Sequence, residues 1–354
     1  MTGGGRGRGA LGTTTGGAAL PLLLAACAGD MRMLDPAGVQ AARIAGLLTF
    51  TFTVALAVYA ATLAATALAV RRGRRRRLTQ TLADDSPAGE RRLGRAVLWA
   101  VGASFALVFV YLVAAVRTGR ALGALGFPAP PLDGPGAPLT VEVIGHQYWW
   151  EFRYKDPVAS RNLTTANELH LPVGRPVRIV GRSADVIHSF WVPNLHGKRD
   201  LIPGHTQEGW LRADRAGVWD GQCAEFCGHQ HAHMRMTVVA EPAAQFDAWY
   251  LAQLAPAAPP GDSSAKLGEQ IFLGRNCVMC HAVQGNPAGS NVGPDLTHLA
   301  SRRTIAAGTL PNTRGNLGGW IVDPQRIKPG SLMPPQALTG DELNALLDYL
   351  RGLR

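Results

Sequence analysis

Two long apolar stretches dominate the N-terminal third of the chain. Residues 44–70 contain no charged side chain over 27 positions, and residues 96–116 form a second such stretch of 21. As helices, at 1.5 Å of rise per residue, both are long enough to cross a hydrocarbon layer of about 30 Å. We therefore predict two transmembrane spans, over residues 44–70 and 96–116, within a helical hairpin that occupies residues 27–118.

The hydrophobic pattern changes after a Gly/Pro-rich segment that ends near residue 138. Short runs in which apolar and polar residues alternate, such as residues 139–144, are separated by Gly, Pro and Asn. This pattern is typical of strands and predicts a small antiparallel β-sandwich over residues 139–250.

A Pro/Ala-rich linker at residues 255–261 leads into a second domain. Residues 266–272 have the amphipathic pattern of a helix, and residues 343–353 form another after a capping box at Thr339 and Glu342. Residues 262–354 are therefore predicted to be a small all-α domain, which makes the chain a multidomain membrane protein.

The distribution of charge fixes the predicted orientation in the membrane. The net charge is +10, and residues 1–95 hold 13 Arg or Lys against 5 Asp or Glu, whereas residues 96–354 hold 22 against 20. Nine of the arginines lie between the two apolar stretches, so the positive-inside rule places that loop in the cytoplasm and both later domains outside it. The later domains lack the basic surplus that nucleic-acid binding needs, so no nucleic-acid partner is expected.

The first residues have the features of an export signal. Arg6 and Arg8 precede an apolar run at residues 18–26, and Leu-Ala-Ala stands immediately before Cys27. This order resembles the bacterial lipoprotein signal, which implies removal of residues 1–26 and lipidation of Cys27. The alternative is an ordinary Ala-rich leader with an unmodified Cys27.

Residues 221–234 concentrate side chains that bind soft metals: two thiols, three imidazoles and one thioether. That combination points to a transition metal. Structural zinc sites usually draw cysteine pairs from two separate places, and this segment offers one pair. A mononuclear copper site needs one thiolate, so the second would be surplus, whereas Cys223 and Cys227 together can bridge two copper ions. A dinuclear copper site is therefore favoured.

The helical domain contains the sequence Cys277-Val-Met-Cys280-His281, the attachment motif of c-type haem. The two cysteines form thioether bonds to the porphyrin, and His281 then lies beneath the iron. Met333 is the only methionine after this motif and is the predicted second axial ligand. His298 remains the alternative, which would give a haem with two histidine ligands.

Residues 221–234 and 185–193 resemble the ligand segments of the CuA centre in cytochrome c oxidase subunit II, whose exported domain is a cupredoxin-like β-sandwich. The resemblance implies a pair of copper ions held by His188, Cys223, the backbone carbonyl of Glu225, Cys227, His231 and Met234. It also implies that the Glu225 carboxylate faces a magnesium ion at the contact with the catalytic subunit.

The aromatic run at residues 145–154 resembles the segment through which electrons enter in the same family. The resemblance assigns that role to Tyr148 and Trp149, although the family has Trp where this chain has Tyr148. The alternative for Trp149 and Trp150 is an ordinary place in the sandwich core. Residues 262–354 resemble the small cytochromes c, in which the carbonyl corresponding to Pro294 steadies the haem histidine.

Taken together, the chain resembles subunit II of cytochrome c oxidase with a cytochrome c domain fused to its C-terminus. The resemblance implies a proton-translocating oxidase in which electrons pass from a cytochrome c donor through haem c and CuA to catalytic subunit I, which reduces oxygen to water. It implies further oxidase subunits and membrane lipid as partners, and a place in the bacterial inner membrane with both domains on the extracytoplasmic side. The alternative is a stand-alone, membrane-tethered electron carrier or copper-handling protein.

Overall fold

The computed structural model describes residues 31–78, 86–124 and 139–354. The predicted signal peptide and Cys27 lie outside these residues. Helix α1 covers Val39–Leu78 and helix α2 covers Pro87–Ala124, so both helices extend beyond the uncharged stretches at either end. Both are long and apolar enough to cross a membrane. The predicted pair of apolar N-terminal helices is confirmed.

The large apolar side chains of these two helices lie on the surface rather than in a core. Trp99 and Phe105 of α2 are 78% and 74% exposed, and Tyr59 and Leu56 of α1 are also exposed. An exposed apolar surface of this extent is typical of a helix pair that contacts lipid. The two helices therefore suggest that the chain is anchored in a membrane.

The next domain is the predicted β-sandwich. Its strands are β1 (Thr140–His146), β2 (Trp149–Lys155), β3 (Leu163–Ala166), β4 (Glu168–Pro172), β5 (Val177–Ser183), β6 (His188–Phe190), β7 (Arg199–Leu201), β8 (Gln207–Leu211), β9 (Gly217–Gln222) and β10 (Arg235–Glu241). A five-stranded sheet runs in the order β3-β2-β1-β5-β8, and a three-stranded sheet in the order β4-β10-β9. Helix α3 (Ala243–Gln253) closes the domain.

The prediction of a purely antiparallel sandwich was wrong. Strand β1 pairs with β5 in parallel, and β10 pairs with β4 in parallel, while the other pairs in these two sheets are antiparallel. Alternation of apolar and polar residues predicts that a segment is a strand but does not select its neighbour. The core between the sheets includes Val143, Trp150, Phe152 and Met236, all fully buried. Trp150 is thus a core residue.

The start of α1 is fixed to the sandwich. Gly38 forms a β-bridge with Ala213, and the Gln40 side chain donates to the carbonyl of Trp210 at 2.6 Å. A Cβ atom at Gly38 would lie 2.6 Å from the carbonyl oxygen of Leu195, so glycine permits this close approach. The sandwich therefore lies at the N-terminal end of α1, at the opposite end from the arginine-rich segment.

The C-terminal domain is helical, as predicted. It contains α4 (Ser263–Gly274), the short strands β11 (Thr304–Ile305) and β12 (Leu310–Pro311), α5 (Arg314–Val322), α6 (Pro324–Ile327) and α7 (Gly340–Gly352). The predicted capping box at Thr339 and Glu342 is present at the start of α7. Helices α4 and α7 pack closely at Gly268, where a Cβ would lie 2.0 Å from the carbonyl oxygen of Ala345.

The sandwich and the helical domain meet at a packed boundary, which we call the domain seam. It is formed by residues 147–149, 167–168 and 228–235 of the sandwich and residues 302–308 and 328–330 of the helical domain. The linker is bound as well, because the amide of Ala257 donates to the carbonyl of Gln284 at 2.9 Å. The helical domain is therefore docked and is not suspended on a free tether.

Candidate copper and haem sites

The three-stranded sheet brings together the two ends of the segment that contains the predicted metal ligands, residues 221–234. Cys223 directly follows β9 and Met234 directly precedes β10, and these two strands are antiparallel neighbours. The amide of Cys223 accordingly donates to the carbonyl of Met234 at 3.0 Å. His188, at the start of β6, reaches the same place from a distant part of the sequence.

The thiols of Cys223 and Cys227 lie at the centre of the cluster, 3.9 Å apart between sulfur atoms. His188 Nδ1 lies 3.8 Å from the Cys223 sulfur, and His231 Nδ1 lies 3.7 Å from the Cys227 sulfur. The Met234 sulfur is 3.8 Å from that of Cys227. Each thiol therefore has its own imidazole, which is the arrangement that two bridged metal ions require.

The electrostatics of the thiol pair favour metal binding. A sulfur separation of 3.9 Å is about twice that of a disulfide bond, so the cysteines are reduced. The hydrogen bond from Cys227, aided by one from His188, holds the pKa of the Cys223 thiol far below its usual value, while the same hydrogen bond raises the pKa of the Cys227 thiol. The thiolate is the form that binds metals. The donor set of thiolate, imidazole and thioether fits copper.

Asp185 orients His188 and was not singled out from the sequence. Its carboxylate lies 2.7 Å from His188 Nε2, which leaves Nδ1 directed at the sulfur of Cys223. Burial lowers the pKa of His188, but the hydrogen bonds to Asp185 and Cys223 and the charges of both groups together outweigh it, so the pKa is raised overall. The sequence signal is an acidic residue three positions before a ligand histidine, and such a partner commonly fixes a ligand imidazole.

Glu225 presents its two oxygen types in different directions. Its backbone carbonyl lies 3.2 Å from the Cys223 sulfur, at the edge of the cluster, while its side chain is exposed. In the described part of the chain, the residues His188, Cys223 and Cys227 form a group able to hold a metal ion, with ligand atoms within 4.8 Å of one another.

The haem motif lines a cavity of about 510 Å³ in the helical domain. Cys277, Cys280, His281 and Met333 all contribute to its wall, and the remaining wall is mostly apolar, including Phe272, Leu317, Trp320, Leu346 and Leu350. The size and apolar character fit a porphyrin. The structure therefore brings together all four residues that the sequence predicts to hold haem.

His281 is held in the form that a haem ligand needs. Its Nδ1 donates to the carbonyl of Pro294 at 2.7 Å, as the resemblance to small cytochromes c implies, so Nε2 is left for the iron. Burial lowers the pKa of His281, which favours the neutral imidazole. Gly293 allows this contact, because a Cβ there would lie 2.8 Å from the imidazole ring.

His298 has a structural role instead. It is buried, and its Nε2 lies 3.2 Å from the carbonyl of Gln253 and 3.1 Å from that of Ala255, at the start of the linker. It is not among the residues that line the cavity, whereas Met333 is. This placement favours Met333 as the second axial ligand.

One aromatic segment contacts both sites. Gln147, Tyr148 and Trp149 form part of the wall of the haem cavity, although they belong to the sandwich. The Gln147 side chain also donates to the carbonyl of Cys227 at 2.6 Å. Trp149 is half-buried and stacks on His146, so it is not part of the sandwich core.

Comparison with known proteins agrees with this division of the chain. Residues 156–241 match the family described as "Cytochrome C oxidase subunit II, periplasmic domain", and residues 265–354 match the family "Cytochrome c". The cytochrome c oxidase subunit 2 of Alkalihalophilus pseudofirmus is 40% identical over 215 residues, which is 60% of this chain and 61% of that protein. The subunit 2 of Bacillus subtilis is 34% identical over 238 residues, 63% of this chain and 66% of that protein.

The match thus spans slightly less than two thirds of the length of these relatives. A solved periplasmic domain of cytochrome oxidase subunit II from Bradyrhizobium japonicum is 30% identical, and the match covers 34% of this chain and 95% of that one at a TM-score of 0.31. The first family implies CuA copper and the second implies haem, the groups that the two sites predict. The chain therefore joins a periplasmic domain of the cytochrome c oxidase subunit II family to a C-terminal cytochrome c domain.

Proposed function

We propose that this chain is the subunit through which electrons enter a membrane-bound, proton-translocating haem-copper oxidase. In this proposal a cytochrome c donor delivers electrons to haem c of the C-terminal domain, CuA receives them, and catalytic subunit I reduces oxygen to water. Haem and copper supply reversible one-electron transfer when bound, while the protein supplies binding, orientation and surroundings.

The contact of residues 147–149 with both sites is the observation that carries the proposal. Gln147 bonds to the backbone of the ligand Cys227, and its neighbours Tyr148 and Trp149 line the haem cavity. The docked linker and the domain seam hold the two sites at a fixed separation. Transfer between them is therefore intramolecular, and Tyr148 and Trp149 face the haem of their own chain.

At the copper site, the role of the protein is to hold the metal ligands in place. We assign Cys223 and Cys227 to bridge two copper ions, with His188 and His231 each on one ion. Met234 and the carbonyl of Glu225 complete the set. The near-complete burial of His188, Cys223 and Met234 excludes water from the ligands and keeps the ligand cluster rigid.

The exposed residues Glu225 and Phe226, between the two cysteines, form the proposed contact with subunit I. Phe226 is 76% exposed beside the exposed carboxylate of Glu225. A large exposed apolar side chain next to a carboxylate, in the same loop as the copper ligands, is suited to a protein interface. We assign the magnesium ion at that interface to the Glu225 carboxylate.

The membrane arrangement follows from the two ends of α1. The sandwich is fixed to its N-terminal end, and the arginines within residues 71–77 lie at its C-terminal end. With those arginines in the cytoplasm, both later domains lie on the extracytoplasmic side of the bacterial inner membrane. We also propose that Cys27 is lipidated, which mass spectrometry of the mature N-terminus would test.

Purification from the native membrane tests the proposal. The expected preparation holds two copper ions and one covalent haem per chain, together with a polytopic oxidase subunit, and its oxidised EPR spectrum shows one electron shared over two copper nuclei. A four-line spectrum of a single copper, or zinc in place of copper, would contradict the site. Copper and haem without any oxidase subunit would instead indicate the stand-alone carrier.

A further inference from the structure

One end of the helical hairpin carries a dense positive charge. Between residues 71 and 95 the sequence holds nine arginines against three acidic residues, a surplus of six positive charges. Residues 79–86 alone separate the end of α1 from the start of α2, so the arginines of both helices lie at the same end of the hairpin. We call the seven of them that are described as exposed the arginine collar: Arg71, Arg72, Arg74, Arg75, Arg91, Arg92 and Arg95.

The arginine collar begins where the uncharged stretches end. Arg71 directly follows residues 44–70, and Arg95 directly precedes residues 96–116. At 1.5 Å of rise per residue, the collar extends about 7 Å beyond the uncharged part of each helix. The headgroup layer on each side of the hydrocarbon is about 5 to 7 Å thick. The collar therefore lies at the depth of the lipid phosphates.

The arginines of α2 share one face of the helix with a tryptophan. Successive residues of a helix are about 100° apart, so Arg91, Arg92 and Arg95 lie within about 100° of one another, and Trp99 falls in the same sector. Trp99 is 78% exposed. Tryptophan is enriched at the boundary between hydrocarbon and headgroups. This face therefore presents an interfacial anchor toward the hydrocarbon and three guanidinium groups toward the headgroups.

The chain supplies little negative charge to the collar. Within the described residues 71–78 and 86–95, Glu90 is the single acidic residue. Arg91 and Arg95 are four positions apart, and like charges at this spacing destabilise a helix. The Arg95 Nε donates to the backbone carbonyl of Arg91 at 3.4 Å, which leaves both charges in place. An anion bound between the guanidinium groups would offset this repulsion.

We propose that the arginine collar binds the phosphate headgroup of an anionic phospholipid in the cytoplasmic leaflet. Arginine can donate two parallel hydrogen bonds to a phosphate, and basic clusters directly beside a spanning helix attract anionic lipids. A lipid fits this place better than an acidic protein, because the collar continues directly into an exposed apolar surface along which acyl chains can lie. The inference rests on the proposed membrane arrangement.

The test uses the full chain, loaded with copper and haem, in phosphatidylcholine nanodiscs, in which both faces of the bilayer are accessible. Spin-labelled phosphatidylglycerol, which is anionic, and spin-labelled phosphatidylcholine, which has no net charge, are added separately. The EPR component that the protein immobilises measures the binding of each lipid. The wild-type chain should prefer the anionic lipid by at least about fivefold, and salt at about 1 M should remove most of this preference.

Two triple variants divide the collar: Arg71→Gln with Arg72→Gln and Arg74→Gln, and Arg91→Gln with Arg92→Gln and Arg95→Gln. Each leaves six of the nine arginines in place, so the orientation of the hairpin should be kept. Each should lower the preference at least about twofold.

The matched control is Arg117→Gln with Arg120→Gln, which removes two exposed arginines from the opposite end of α2. This variant should keep the wild-type preference.

Equal binding of the two lipids by the wild-type chain would overturn the inference, as would a wild-type preference in both triple variants. Loss of the preference in an excess of inorganic phosphate would overturn it too, since the collar would then be a site for a soluble anion. These outcomes leave the proposed electron transfer untouched. The membrane arrangement is tested separately, because cleavage between α1 and α2 by trypsin added outside intact spheroplasts would refute it.

Discussion

The copper domain and the cytochrome domain prepare their sites in opposite ways. In the sandwich, the ligands belong to a filled core: His188, Cys223 and Met234 are at most 1% exposed and already lie in contact distance of one another. In the helical domain, the corresponding ligands surround a cavity of about 510 Å³, and Cys277 and Met333 are only half-buried. One domain therefore packs its ligands into a core of side chains, whereas the other arranges them around a space that a porphyrin would fill.

The largest expected effect follows from that cavity. Without haem, the apolar side chains of its wall, among them Phe272, Leu317, Leu346 and Leu350, would face water, which costs free energy in proportion to the apolar area exposed. The double variant Cys277→Ser with Cys280→Ser, which prevents haem attachment, should therefore unfold the C-terminal domain and leave the sandwich folded. Hydrogen exchange resolved along the chain measures both regions in one experiment.

Cys223→Ser is the matched change in the other domain. It should abolish the shared-electron EPR spectrum while the sandwich stays folded. If the amides of the C-terminal domain are equally protected from hydrogen exchange with and without haem, the proposed difference between the two domains is wrong.

The next effect concerns the potential of the haem. Met333→Ala should leave haem bound through Cys277 and Cys280 and remove the thioether that raises its potential. We expect a fall of at least a hundredfold in the ferrous-to-ferric ratio, about 120 mV, and a steep loss of donor oxidation. The copper spectrum and oxygen reduction from a low-potential artificial donor should survive. Leu267→Ala, at an exposed leucine of the same domain, should have no effect. Wild-type donor oxidation in Met333→Ala would mean that electrons enter directly at the sandwich.

Within the copper site, Asp185→Asn should weaken metal binding without unfolding the domain. The carboxylate holds His188 at 2.7 Å, and loss of such a partner typically lowers metal affinity by about 10- to 100-fold. Competition with a copper chelator measures the change. Asp200→Asn, an exposed aspartate on β7, is the control and should match the wild type. An unchanged copper affinity in Asp185→Asn would show that the copper ligands do not depend on this carboxylate.

The smallest expected effect is a pH dependence in the cytochrome domain. Hydrogen bonds from Ser264 and Arg314 hold the pKa of Asp348 below its usual 3.8. The stability from this carboxylate is therefore present above about pH 4 and is lost as the pH falls below that value. Because the pair is near the surface, Asp348→Asn should cost less than about 1 kcal/mol at pH 7 and less still at pH 2. Thermal unfolding at the two pH values, with the exposed Asp247→Asn as control, checks this, and an equal loss at both would contradict it.

The sequence predicted what is encoded in short segments. The two apolar stretches, the Cys-rich segment at 221–234 and the haem motif each carry their chemistry within a few tens of residues. The parallel pairing of β1 with β5 was not predictable, because strand partners are chosen by packing between distant segments. The proposed antiparallel arrangement was wrong for that reason.

The domain seam could not be predicted from the sequence either, because it also depends on packing between distant segments. Lys328 and Tyr148 are 180 residues apart, and nothing in the local pattern around either one indicates the other. The sequence predicts a linker at residues 255–261, and only the structure shows that the backbone of this linker is bonded to the helical domain.

Rapid mixing of the oxidised, fully loaded chain with a reduced soluble cytochrome c tests the central claim most directly. We predict that the haem is reduced first, at a rate proportional to donor concentration, and that the copper centre follows at a rate independent of the concentration of either protein, because the two sites share one docked unit. Reduction of copper before haem, or at a rate that rises with protein concentration, would contradict the account.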